Sequence, residues 1–409
     1  MALHHKTGWK LAALTSIAAL ALAACSDDES SGGGSEGGSG TITLGVAAPE
    51  SNPLASFPEI KAGAEAAAAK INADGGVNGA QIKINFCDTN VDPNQEVNCA
   101  RQFVKDKVTA VVYPLFLVNP SGAQFQVLEA ANIPAIGTGG TSPAEYNSPV
   151  AFPLSSGMAG YMYGNVYSLV NSGSTKISVL GDNQAQTQAN FAAVEEAMNT
   201  AGLKPVQVVP GDPTTDPTFA TAASKAIAGG VDGVIAAGSP NNLPKMVTAL
   251  RQAGYTGTIT ASSGNAPGAL LKALGNAAEG MLITSMLATP TDTANTGVEA
   301  FLADMKQYQP DAQINEQSEF AWAATKLFAD VAADIEDINA QKVLDAMNDL
   351  SDPVDLGVTA PYSVVGKESP TPINDRITNP TVYINEVKNG EVMATTGEPV
   401  DPFAELAKK

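Results

Sequence analysis

Residues 41–90 read TITLGVAAPESNPLASFPEIKAGAEAAAAKINADGGVNGAQIKINFCDTN, and the pattern changes twice within them. Thr41 to Ala47 is a short β-rich run, after which Phe57, Ile60, Ala64, Ala67 and Ile71 recur at the spacing that lines one face of a helix. Gly75-Gly76 stops the helix, and a second β-rich run leads to Phe86. Strand, helix and strand in this order form a βαβ unit, whose two strands lie parallel in one sheet.

The alternation extends in both directions of argument, toward more strands and toward a second series. A helix is expected through Val104, a fully buried strand at Ala110-Val111-Val112, a helix over Ala123 to Ala131 and a strand over Ile133 to Ile136. Gly137-Thr138-Gly139-Gly140-Thr141-Ser142-Pro143 is then a loop at a strand's carboxyl end. After Phe152 a second series begins, with strands at Ile177 to Leu180, Val206 to Val209, Val231 to Ala236 and Ile259 to Ala261. Phe320, Ala324, Leu327, Phe328, Val331 and Ile335 mark a late helix whose half of the molecule the pattern does not reveal. Val382 to Val387 and Val392, around Asn389-Gly390, read as a hairpin.

At 409 residues the chain exceeds one ordinary core, so two α/β domains are expected. Forty-two acidic against 22 basic residues give a net charge of -20, the wrong sign for gripping phosphate backbones, and nucleic acid is excluded as a partner. The first residues are an address: Lys6 and Lys10 precede an apolar core from Leu11 to Ala21 that is too short to remain a spanning helix. Leu22-Ala23-Ala24-Cys25 resembles a bacterial lipobox, which implies a signal peptide over 1–24 and a lipid on Cys25 that anchors the protein to a membrane. Ser, Gly, Asp and Glu alone fill 26–40, so residues 25–40 read as a lipidated Cys and flexible tether.

Cys87 and Cys99 remain, in a compartment where disulfides persist, and they are expected to pair. Zinc wants about four N/S ligands, and His4 and His5 leave with the signal peptide, so no metal and no cofactor is expected. A mature chain without histidine has no Ser-His-Asp triad, and neither a Gly-x-Ser-x-Gly elbow nor a Walker A run is present. A secreted enzyme, with paired carboxylates as its only route, is the remote alternative.

Ile71-Asn72-Ala73-Asp74-Gly75-Gly76-Val77-Asn78-Gly79, Asp92-Pro93, Ile133-Pro134-Ala135-Ile136 with its Gly-Thr loop, and Ala277-Ala278-Glu279-Gly280-Met281 occur in that order. With them the chain resembles the branched-chain amino acid ABC transporter substrate-binding proteins, which have the type 1 periplasmic binding fold. The resemblance implies two lobes, each a parallel sheet flanked by helices, joined by three hinge crossings. Lobe one would take 41–152 and 285–352, and lobe two 153–284 and 353–409. It implies a monomer outside the cytoplasm, on the outer face of the cell membrane or in a periplasm, that clamps a small molecule and delivers it to importer permease subunits. A ligand sensor built on the same clamp is the alternative.

The resemblance also assigns a site. In lobe one it places Thr141 on a ligand carboxylate, where a hydroxyl beside Gly139 and Gly140 can cradle an anion without a full charge. Phe57, Leu115 and Phe116 would supply apolar contacts, although Pro114-Leu115-Phe116-Leu117-Val118 stands where the amino-acid binders carry serines. In lobe two, Asn183, Gln184, Ser239, Ser263 and Asn265 would line the cleft. Ser262-Ser263-Gly264-Asn265 holds no carboxylate where the family pairs a ligand ammonium, which favours an amide, a hydroxylated compound or an organic acid over a free amino acid.

Overall fold

In a computed structural model of the chain, these runs assemble into two separate sheets. The structure describes residues 40–53, 55–119, 121–140, 142–183, 185–371 and 376–409, and of residues 143 and 185–189 the backbone only. The signal peptide, Cys25, the tether up to residue 39, Thr141 and Gln184 lie outside the described residues.

The first sheet contains β1 (Thr41–Ala48), β2 (Gln81–Asp88), β3 (Ala110–Val112), β4 (Ala135–Thr138) and β5 (Ala151–Pro153), in the order β2-β1-β3-β4-β5. Every pairing is parallel, with β1 and β2 in register from Thr41↔Gln81 to Ala48↔Asp88. The helix between them runs over Pro58–Ala73, opening on a proline whose missing N–H no helix start needs. Asp92 caps the next helix, Pro93–Lys105, by accepting from the amides of Asn94 and Gln95. β4 starts two residues later than the pattern suggested and takes Gly137 and Thr138 from the expected loop.

The second sheet is β12-β11-β10-β9-β8-β6-β7. Its members are β6 (Ile177–Asp182), β7 (Val208–Gly211), β8 (Gly233–Ala236), β9 (Thr258–Ser262), β10 (Leu282–Ser285), β11 (Tyr383–Lys388) and β12 (Glu391–Ala394). Strands β6 to β10 pair in parallel, while β11 and β12 add an antiparallel edge. The hairpin turns on Asn389 at φ 55° and Gly390 at φ 77°, the two positive angles that a two-residue turn of matching twist requires.

The late helix, Glu316–Ala332, packs on the first sheet and on the Pro58–Ala73 helix. Close approach is possible because residue 63 is glycine: a Cβ there would lie 2.0 Å from the Ser318 carbonyl oxygen. Asn315 and Ser318 close a capping box at its start, fixing where the helix begins. Residues 354–371 and 376–378, read from sequence with lobe two, sit instead on the first half. There Arg376 Nε donates to Ala151 O of β5, Ala288 N donates to Val358 O, and Gly357 packs against Gly297. The chain therefore returns toward the second sheet at Asn379–Val382, where Asn379 Nδ2 still donates to Leu154 O and Val382 leads into β11.

Cys87 ends β2 and Cys99 lies in the helix that follows, with Cα atoms 5.6 Å apart and the sulfurs bonded. Alkylation of purified protein without reductant should leave both unmodified; capture of either thiol would show the bond absent. Among the described residues no helix is long and apolar enough to cross a membrane.

Candidate binding site

Side chains from the carboxyl ends of strands in both sheets converge on the first turn of the Glu316–Ala332 helix. Strand ends are where open α/β sheets present their loops, so this is the expected place for a ligand. From the second half, Tyr161 in the Gly157–Asn171 helix donates to Glu316 Oε2 at 2.8 Å. Ser263, just after β9, places its hydroxyl 2.6 Å from the same oxygen and 3.1 Å from the Tyr161 hydroxyl. The backbone amides of Met286 and Leu287, just after β10, donate to Oε1 at 2.6 and 3.3 Å. One carboxylate on the first half thus collects donors from the second half and from the chain leaving β10.

Glu316 keeps part of its surface exposed although its carboxylate lies deep among protein atoms. Desolvation raises its pKa, and the four donors oppose the rise. Burial pushes the Tyr161 and Tyr113 hydroxyls well above their ordinary range, and the nearby Glu316 charge adds to it. Both tyrosines are therefore neutral donors at any physiological pH. Tyr113 directly follows β3, stacks on Phe320 with ring centroids 4.9 Å apart, and donates to Gln317 Oε1 at 2.5 Å. Its φ of 40° is rare for a bulky side chain, and such strain gathers where a side chain must be aimed.

The residues chosen from sequence divide. Ser263 belongs to the converging cluster, and Asn265 lies half-buried in the same short turn, Ser263–Asn265. Gly139 packs beside the Tyr113 ring. The Gly140 amide, read as an anion donor, instead donates to the Glu145 carboxylate, and its carbonyl accepts from Tyr146. Leu115 and Phe116 are core rather than cleft wall: each is under 5% exposed, and Phe116 meets Phe125 edge-on at 5.6 Å. Phe57 is half-buried against the same core. Ser239 donates through both its amide and its hydroxyl to Asp182 Oδ2, and Asn242 Nδ2 joins them at 3.0 Å. Asn183 is exposed.

Tyr113, Tyr161, Glu316 and Gln317 escaped the sequence reading. Tyr113 carried a usable signal, its place at the end of a buried parallel strand. Glu316 carried none, because an acid in a helix's first turn is the ordinary complement of the helix dipole. The loop over residues 262–265 itself carries no carboxylate, but the Glu316 carboxylate reaches Ser263 from the other half.

Two parallel α/β halves meeting through the loops at their strand ends define the class of two-lobed α/β ligand binders. The periplasmic binding protein family model matches residues 41–391, and the chain belongs to that family. It is similar to the leucine-, isoleucine-, valine-, threonine- and alanine-binding protein of Pseudomonas aeruginosa, 28% identical over 273 residues, 64% of this chain and 71% of that one. With the Leu/Ile/Val-binding protein homolog 3 of Brucella melitensis it shares 30% identity over 183 residues. That match takes in 42% of this chain and about half, 48%, of the relative's length. Among solved structures, an ABC transporter solute binding protein from R. palustris in complex with 4-hydroxybenzoate superposes with a TM-score of 0.70. The two are 19% identical, over 90% of this chain and 100% of the other.

Proposed function

We propose that this chain is the extracytoplasmic receptor of an ABC importer, closing two lobes around a small polar organic solute and presenting it to membrane permease subunits. It binds and releases rather than transforms its ligand. Three crossings join the lobes, near residues 153–157, 286–288 and 379–382, and a lipid on Cys25 anchors the monomer to the membrane. The observation that carries this reading is the Glu316 cluster, because hydrogen bonds from Tyr161 and Ser263 to Glu316 form only when the two halves approach. Ligand that bridges the same faces stabilises the approached state by its differential affinity, and the permease reads that state.

The solute is amino-acid-like, an amide or an organic acid. The Pseudomonas relative's name gives amino acids, from leucine to threonine and alanine, and the R. palustris structure holds 4-hydroxybenzoate, two kinds of molecule that share a carboxylate. Thr141 is our candidate for receiving it, and Asn265 and Ser263 are the candidates from the other lobe. A thermal-shift screen of amino acids, amides, aromatic acids, polyols and sugars tests the proposal, since a ligand of the folded state raises its melting temperature. A flat response across all classes rejects it, and a response confined to leucine, isoleucine and valine rejects the expectation, from the loop over residues 262–265, of an amide, a hydroxylated compound or an organic acid over a free amino acid. With the responding solute in hand, Thr141→Ala should weaken binding about tenfold, the loss of one hydrogen bond to a charged group. Unchanged affinity removes Thr141 from the site.

A further inference from the structure

Away from the converging strand ends, a cavity of about 110 Å³ lies between β5 and the segment that returns to the second sheet. Phe152, Tyr362, Val364, Lys367, Arg376 and Thr378 line it. Arg376 is held there firmly. Its guanidinium lies over the Phe152 ring at 4.6 Å, Nε donates to Ala151 O at 2.6 Å, and Nη2 reaches Asn348 Oδ1 at 3.4 Å. Among the described residues, no carboxylate pairs with it. This is unusual in a chain with 42 acidic residues and 22 basic ones, where partners are plentiful. A largely buried guanidinium without a counter-charge is costly, and its five N–H donors are mostly unused.

The hydroxyls make the same point from the acceptor side. Tyr362 is 1% exposed, and among the described residues its hydroxyl and the buried hydroxyl of neighbouring Thr378 have only each other as partners, which leaves one hydroxyl proton of the pair without an acceptor. Buried hydroxyl protons are nearly always spent, so a spare O–H beside a guanidinium that no described carboxylate pairs with points to a shared acceptor. An oxoanion satisfies them, accepting from the planar guanidinium fork and from the spare hydroxyl, with the Lys367 ammonium at the mouth.

We propose that this cavity is a binding site for a small oxoanion of the phosphate or sulfate type, separate from the solute site and braced between β5 and the returning segment. It stands independently of the solute reading, since none of its residues belongs to the converging cluster.

The test titrates the full chain with inorganic phosphate and, at equal ionic strength, with sodium chloride, following heat and melting temperature. Wild type should bind phosphate saturably and show no matching response to chloride. Arg376→Gln should weaken phosphate about tenfold or more, as expected for a lost charge-assisted bond, and Lys367→Gln about threefold, as expected for an exposed charge. Equal responses of wild type to phosphate and chloride overturn the assignment. So does phosphate binding that survives unchanged in the variants, which would place the anion elsewhere. Lys367 is exposed, so its variant keeps the test decisive if Arg376→Gln does not fold.

Discussion

Glu316→Ala should lower the unfolding free energy by about 3 kcal/mol, read as a shift in the urea midpoint at constant slope. The substitution strips the acceptor from two hydroxyls, Tyr161 and Ser263, and two backbone amides, Met286 and Leu287. An orphaned buried donor costs about 1–3 kcal/mol, but the losses are not additive. Two terms reduce the sum. The Ser263 hydroxyl can turn to Tyr161, 3.1 Å away, and the carboxylate's own desolvation, visible in its raised pKa, is recovered when it is removed.

Glu316→Gln should fall between, because an amide offers one acceptor oxygen where the carboxylate offers two, and its NH₂ must then face donors. A difference under about 1 kcal/mol for the alanine variant would mean that solvent replaces the carboxylate freely, and that the two halves are not held there. The same variants bear on closure. If Glu316 joins the halves in the absence of solute, its removal should favour the separated arrangement, and small-angle scattering of the unliganded protein should show a larger radius of gyration.

Much of the fold was open to sequence reading because it rests on local periodicity. β1, the Pro58–Ala73 helix and β2 follow from apolar spacing within fifty residues, and the β11–β12 turn from one Asn-Gly pair. The position of the Glu316–Ala332 helix was not open to it. Its apolar face says that it is buried, and only the absent side chain of Gly63, far away in sequence, says against what. Residues 354–371 and 376–378 went to the wrong half for a related reason: they are irregular, held by single contacts such as Arg376 to Ala151 O that leave no periodic trace.

The site was less legible still. Leu115 and Phe116 follow a strand and are apolar, a description that fits a cleft wall and a core equally, and packing on Phe125 decides for the core. The Gly140 amide is free in any sequence reading, and only the fold brings Glu145 to claim it. The carboxylate sought after β9 was found on a helix fifty-three residues later. Functional groups meet through tertiary contacts, and a strand pattern carries no information about which helix end will face it.

Glu319, one turn beyond Glu316, makes the last prediction. It is 0% exposed, and neither carboxylate oxygen has a hydrogen-bond partner among the described residues. Desolvation, then the charge of Glu316, raises its pKa well above the ordinary value. The folded state therefore holds a proton that the unfolded chain releases above about pH 4.3. By linkage, folding bears no penalty from this group below that pH and loses stability as pH climbs from there toward the folded pKa. Glu319→Gln keeps the shape and abolishes the titration.

The variant should match wild type near pH 4 and gain on it steadily as pH rises. At pH 8 the advantage should be largest, read as a higher urea midpoint than wild type at constant slope. Asp88, Asp212 and Asp232, whose pKa values are lowered by hydrogen bonds, give both proteins the opposite trend at acid pH, so the difference between the two curves is the quantity to follow. A difference constant from pH 4 to 8, or a variant less stable at pH 8, would mean that Glu319 is ionised and partnered in solution. A rising difference would show that the helix beneath the two-lobed junction carries a neutral acid, leaving Glu316 as the charge that the two halves share.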